Sequence, residues 1–195
     1  MTKKKNIKVI VEVSAHHVHL SRKDVDKLFG KNYELTIFHP LSQPGEFAEN
    51  ETVSIKTKAG LLEHVRVLGP IRDYSQAEIS KTESFKLKLN PVIRESGDIA
   101  GTPGATLIGP KGQVVLKQGV ILAYRHIHAS TAQAKKYNLK HGQLVKVKIP
   151  GPRGLIFENV MIKVRDNYDW HMHIDTDEAD AAGVDRENNI GYLIS

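Results

Sequence analysis

Ile7-Lys8-Val9-Ile10-Val11-Glu12-Val13-Ser14-Ala15-His16-His17-Val18-His19-Leu20-Ser21 sets the reading of the whole chain. In its first half Ile7, Val9 and Val11 alternate with Lys8 and Glu12, the period-two pattern of a half-buried strand. Its second half ends on Ser21, an N-cap residue that predicts a short helix over Arg22–Phe29. The pattern returns once: Arg125-His126-Ile127-His128-Ala129-Ser130 follows an apolar run and predicts a helix over Thr131–Tyr137. A shared H-x-H-x-S at a strand-to-helix joint points to duplicated halves, each contributing an equivalent corner.

Further period-two runs at residues 53–58, 61–68, 85–89, 114–123, 144–149 and 157–164 predict strands. Turn signals separate them at Gly30 and at 43–45, 96–104, 109–112 and 150–154. Many short strands with few helices predict a mainly β protein, a barrel or sandwich rather than a βαβ sheet. No glycine-rich phosphate loop of the Walker or dinucleotide type is present.

The chain has 195 residues, no cysteine and a net charge of +6. Without cysteine there are no disulfides, thiolate metal sites or thiol nucleophiles, so any metal is held by nitrogen and oxygen. No apolar run reaches the roughly 18 residues of a spanning helix, which predicts no membrane partner and a cytoplasmic protein. Residues 1–6 read as a short basic tail ahead of a single unit over 7–195. The Lys and Arg are scattered and aromatics make up 6%, a poor supply for a base-stacking surface, so no nucleic acid is expected.

The histidines carry the chemistry. In an extended backbone, residues i and i+2 point to one side, about 6–7 Å apart. His17/His19, His126/His128 and His171/His173 are three such pairs. A lone pair is ordinarily structural, but three in a cysteine-free chain point to nitrogen-ligated metal, with zinc the natural choice and Cu, Ni, Co or Fe its competitors. Each pair needs a third ligand, and Glu78 is a candidate beside His17 and His19. Arg72, just after a strand and a turn, suits a two-pronged grip on phosphate or carboxylate. Asp175, Asp177 and Glu178 read as the acidic start of a helix. His39, His64 and His141 stand alone, and Trp170 reads as a packing anchor.

Four stretches in order resemble one known family: Ser14-Ala15-His16-His17-Val18-His19-Leu20-Ser21, Leu68-Gly69-Pro70-x-Arg72-x-x-x-Gln76-x-Glu78-Ile79-Ser80, Arg125-His126-Ile127-His128, and Met172-His173-Ile174-Asp175-Thr176-Asp177-Glu178-Ala179. The chain is similar to the PduL-type phosphotransacylases, the phosphate propanoyltransferases, from about residue 7 to its end. The resemblance implies two small β-barrels capped by short helices, with interleaved chain segments and two zinc ions in one active site between them. One zinc would be held by His17, His19 and Glu78, the other by His126, His128 and His173. Arg72 would bind phosphate. Coenzyme A would be contacted by Glu12, Val13, Ser14, Arg66 and Asp180. His16, His171, Ala59 in place of a common Lys, and Asp180 in place of a common Asn depart from the family's usual pattern.

The implied reaction is reversible transfer of a propanoyl or acetyl group between coenzyme A and inorganic phosphate. With no cysteine for an acyl-enzyme, direct attack by phosphate is expected. An acetate or propanoate kinase is the implied metabolic neighbour, and exposed barrel edges favour a homo-oligomer. The first strand begins too early for a microcompartment-targeting extension. The rival chemistry is a di-metal thioesterase or phosphatase-type hydrolase using the same histidines.

Overall fold

The computed structural model describes residues 7–194, so the basic tail at 1–6 lies outside the described residues. In chain order the elements begin β1 (Ile7–Val13), β2 (His17–His19), α1 (Arg22–Phe29), β3 (Ile37–Pro40), β4 (Phe47–Lys56), β5 (Leu61–Gly69) and β6 (Gln76–Glu78). They continue α2 (Lys81–Leu87), β7 (Ile93–Arg94), β8 (Ala105–Ile108), β9 (Gln113–Leu116), β10 (Val120–Ala123) and β11 (His126–Ala129). Last come α3 (Thr131–Tyr137), β12 (Leu144–Ile149), β13 (Leu155–Val164), β14 (His171–Ile174), α4 (Thr176–Ala182) and β15 (Ile190–Ile194).

The elements fall into two compact units with interleaved segments. One unit takes the chain up to Ser14, Ser42–Pro44, and everything from Tyr124 on. Its strands close into a barrel in the order β1-β14-β11-β13-β12-β15. The other takes Ala15–Leu41 and Gly45–Ala123. Its sheet is open, β7-β10-β6-β2-β5-β4-β8-β9, with β3 paired to β4. The mainly β architecture therefore stands, as one closed barrel and one half-barrel.

Alternation explains both cores. Val18, Ile127 and Met172, the middle residues of the three H-x-H triplets, are fully buried. Val18 packs with Leu20, Val65, Val67 and Ala77, whereas Ile127 and Met172 pack with Val9, Val11, Val160 and Ile162. Because side chains alternate across a strand, each histidine pair faces away from its core.

Each helix has only seven or eight residues, too short to persist alone, so the caps matter. Ser21, Ser80, Ser130 and Asp175 each accept the backbone N–H three residues on. Glu83, Gln133 and Glu178 complete reciprocal capping boxes.

Two sequence expectations are overturned here. Residues 85–89 are not a strand: the Ser80/Glu83 box starts helix α2, which buries Leu87 and leaves Phe85 exposed. The run 114–123 is two strands, split by a turn at Gly119 (φ +124°) that takes the chain from β8's antiparallel partner β9 to β6's parallel partner β10.

Glu49 on β4 is buried, and its Oε2 has no hydrogen-bond partner. Burial, with the nearby charge of Glu51, pushes its carboxyl up from the ordinary value. The folded state thus disfavours the ionised form, a penalty that sets in as pH rises through the unfolded value of about 4.3. Glu49→Gln is expected to raise Tm at pH 7, by about 2–4 °C for each 1 kcal/mol relieved in a chain of this size. The gain should vanish below about pH 4; thermal melts at both pH values check it.

Candidate metal centres

In the open sheet, β2 and β6 run antiparallel with His17 opposite Glu78 and His19 opposite Gln76. All three candidate ligands therefore share one face. His17 Nε2 lies 3.5 Å from Glu78 Oε2, and His19 Nε2 lies 3.9 Å from Glu78 Oε1. Tetrahedral zinc places its ligand atoms about 3.3 Å apart, so little movement separates this arrangement from a coordination shell. The far sides of the rings are fixed: His17 Nδ1 meets the Ala15 carbonyl at 2.9 Å and His19 Nδ1 the Leu68 carbonyl at 3.2 Å. These bonds select the tautomer that turns the Nε2 lone pair toward the cluster, the usual outer support of a metal-bound imidazole.

The electrostatics call for a cation. Burial alone would raise Glu78, but the charge and hydrogen bond of His17, with His19, hold its carboxyl well below the usual range. Burial alone would lower His17, yet Glu78 and the Ala15 carbonyl outweigh it and raise its value. A proton on His17 thus does for the carboxylate what a metal ion would do. Burial, then the charges of His17 and Arg72, lowers His19 to about 3, so it is neutral.

In the barrel, β11 and β14 repeat the arrangement. They run antiparallel with His126 opposite His173 and His128 opposite His171. Ring centroids are 4.6 Å apart for His126–His128, 5.3 Å for His126–His173 and 4.8 Å for His128–His173. His126 Nδ1 meets the Tyr124 carbonyl at 2.7 Å. Burial, then the Lys163 charge, holds His126 well below the usual imidazole value. Burial, then His173 and Lys163, lowers His128 to about 2. Both are neutral, lone-pair-bearing ligands at pH 7. His128 Nδ1 is buried without a hydrogen-bond partner, and such an atom is what a missing cation leaves behind.

In each cluster the three ligand atoms lie within 4.8 Å of one another. The donor sets, two imidazoles with a carboxylate and three imidazoles, both suit zinc with one position left open. The six residues therefore fit the metal the motifs suggested.

The two corners match in backbone detail as well. Arg72 N–H donates to the carbonyl of Leu20, the residue after His19, and Arg165 N–H donates to the carbonyl of Ala129, the residue after His128. By register, His173 takes the place of Glu78 and His171 the place of Gln76. That gives the additional histidine a position in the repeat.

Arg72 approaches the first cluster. Its Nη1 donates to Ser96 Oγ at 3.1 Å, and its Nη2 is 3.8 Å from Glu46 Oε1. Among the expected coenzyme A contacts, Glu12 lies against the second cluster: its carboxylate is 3.5 Å from His173 Nε2 and 3.9 Å from His171 Nε2. Ser42 Oγ donates to the same carboxylate. Val13 is exposed at the end of β1, Ser14 N–H donates to the Ile174 carbonyl, and Asp180 is exposed on α4. Arg66 belongs to the other unit, where it donates to the Glu49 and Asn50 carbonyls and lies over the Phe38 ring.

Asp175 and Glu178 are spent on the α4 capping box and on Arg125, as a helix start requires. Trp170 anchors to the Lys8 carbonyl and packs on Tyr137. His39, His64 and His141 are exposed, and His16 pairs with Glu83 of the α2 cap.

The motifs left some neighbours without a role. Gln76, fully buried, donates to Glu78 Oε1 at 2.6 Å; its period-two spacing from Glu78 was the available signal. Lys163 is buried directly opposite His128. Tyr168 lays its ring against His128, centroids 4.1 Å apart. Lys163 and Tyr168 have no local signature, because strand pairing and a turn bring them in.

Similarity to known proteins agrees with this geometry. The profile described as phosphate propanoyltransferase matches residues 10–185. The chain belongs to the phosphate propanoyltransferase family. A phosphate propanoyltransferase of Thermotoga maritima is 49% identical over 95% of this chain and 87% of its own length. Those of Listeria monocytogenes, at 47% over 90% and 82%, and Leptotrichia buccalis, at 50% over 89% and 82%, are similar throughout. The matched span includes every candidate ligand of both clusters and Arg72. As the family name says, this is a family of acyltransferases. Among the described residues no helix is long and apolar enough to cross a membrane.

Proposed function

We propose that this chain transfers a propanoyl or acetyl group reversibly between coenzyme A and inorganic phosphate, with one zinc ion at each cluster. The observation that carries the reading is the placing of Arg72, a guanidinium hydrogen-bonded through Ser96 beside a buried two-histidine, one-carboxylate cluster. An anion fork next to a cation site is what binding and orienting phosphate requires. Family membership supplies the acyl group and phosphate as the partner of the transfer.

Arg72 grips two phosphate oxygens and fixes the third toward the thioester, which converts an encounter into an oriented reaction. The phosphate oxygen forms a bond to the acyl carbon, the carbon–sulfur bond breaks, and the sulfur leaves with the electron pair as the coenzyme A thiolate. Zinc bound at the clusters would supply positive charge to stabilise the oxyanion that develops on the carbonyl. His17, His19 and Glu78 hold one ion, and His126, His128 and His173 the other. Glu12 is tied to Ser42 and faces His171 and His173, so its carboxylate steadies the ring of His173. Glu12, Val13, Ser14, Arg66 and Asp180 remain the proposed coenzyme A contacts.

The test is coenzyme A release from propanoyl-CoA and acetyl-CoA, with and without phosphate, on protein of measured zinc content. Release that requires phosphate and yields acyl phosphate is expected, with about two zinc ions per chain. Equal release without phosphate would replace the transferase reading by a thioesterase.

A further inference from the structure

We propose that Ser96 is a positioning residue that ties the anion-gripping guanidinium of Arg72, through Gln76, to the metal-ligating carboxylate of Glu78. The inference rests on the roles just proposed for those two residues and adds one that no motif assigns. Ser96 lies in the turn after β7, eighteen positions beyond Glu78 in sequence.

Its hydroxyl oxygen accepts two hydrogen bonds. Ser96 Oγ accepts from Arg72 Nη1 at 3.1 Å and from Gln76 Nε2 at 2.7 Å. Gln76 Nε2 in turn donates to Glu78 Oε1. A hydroxyl has two lone pairs and one proton. Both lone pairs are occupied by N–H donors, one from Arg72 and one from Gln76. One atom therefore fixes the tilt of the guanidinium and, through Gln76, the direction of one carboxylate oxygen.

Gln76 completes the frame. Its Nε2 reaches Glu78 Oε1 at 2.6 Å as well as Ser96, and its Oε1 accepts the Gly97 N–H at 2.9 Å. Because Gln76 is fully buried, these bonds have no water to compete with them, and breaking one leaves a buried group unpaired. The turn has its own backbone support, Asp98 N–H to the Glu95 carbonyl at 2.9 Å. Removing the Ser96 hydroxyl therefore leaves the turn held by Gly97 and Asp98 while freeing Arg72 and Glu78 from each other.

The test compares wild type, Ser96→Ala and Ser96→Thr in steady-state kinetics and in zinc binding by the apoprotein against a competing chelator. Ser96→Ala is expected to raise the phosphate KM about tenfold and leave the acyl-CoA KM within about twofold. It should weaken one of the two zinc equivalents about tenfold and leave the other unchanged. Ser96→Thr, which keeps the hydroxyl, should restore most of both. If the alanine variant is insoluble, Ser96→Gly carries the same comparison.

Wild-type phosphate KM and zinc affinity in Ser96→Ala would overturn the inference alone. So would an equal rise in both KM values with a lowered Tm, the mark of a merely structural residue. Wild-type apoprotein that takes up no stoichiometric zinc would overturn the metal reading beneath it and the inference with it.

Discussion

His126→Ala is expected to bind about one zinc ion per chain where the wild type binds about two, and to lose at least about a hundredfold in phosphate-dependent activity. The barrel's cluster has three imidazoles in reach of one another. A zinc site that keeps an open position has no protein ligand to spare. His126 is firmly set, with Nδ1 held by the Tyr124 carbonyl and its ring stacked on that of His173 at 5.3 Å. Its burial and the Lys163 charge keep it neutral, so the wild-type ring offers a lone pair with no proton to displace.

The substitution leaves the barrel core intact, because Ile127, not His126, is the residue of that triplet that packs in the core. Lost metal with an unchanged Tm in the metal-free protein would therefore report the ligand and not the fold. Zinc content by elemental analysis is the direct readout. Two ions still bound would remove His126 from the ligand set.

The histidine clusters were legible in the sequence because their information is local. H-x-H on a strand puts two rings on one side, the intervening apolar residue marks the core side, and the following serine marks the helix that ends the strand. What brings in the third ligand is not local. Glu78 reaches His17, and His173 reaches His126, through antiparallel pairing across long separations; residue type made Glu78 a candidate, but only the family resemblance joined His173 to His126 and His128. Closure was equally hidden: β1 and β15, from opposite ends of the described chain, seal the barrel, while β7 and β9 leave the other sheet open.

The residues 85–89 show the opposite failure. The apolar alternation there is real but belongs to a helix, because the capping box of Ser80 and Glu83, just ahead of the run, decides the backbone first. The duplicated corner was legible as a repeated H-x-H-x-S, yet its depth was not. Matching hydrogen bonds from Arg72 to Leu20 and from Arg165 to Ala129 show a common backbone plan carrying different ligands. One half uses a carboxylate and a glutamine where the other uses two histidines. A carboxylate lowers the net charge of its metal centre, and the half that carries it is also the half with an arginine whose side chain reaches toward the cluster.

That pairing frames the second large effect. Arg72→Ala is expected to raise the phosphate KM and to lower kcat by more than tenfold, since a charge-assisted grip on phosphate is worth roughly 1.5–3 kcal/mol. The guanidinium is partly exposed and meets Ser96 at 3.1 Å and Glu46 only at 3.8 Å, so donors remain available for a ligand. The backbone at this position is held independently, by its N–H to the Leu20 carbonyl, and alanine keeps that bond. Zinc content and the acyl-CoA KM should therefore stay near wild type, which separates a lost phosphate contact from a disturbed metal site. Arg72→Lys should recover only part of the loss, because an ammonium keeps the charge but not the planar two-pronged geometry. Full recovery by lysine would mean that charge alone matters there, and wild-type kinetics in the alanine variant would take Arg72 out of the phosphate site.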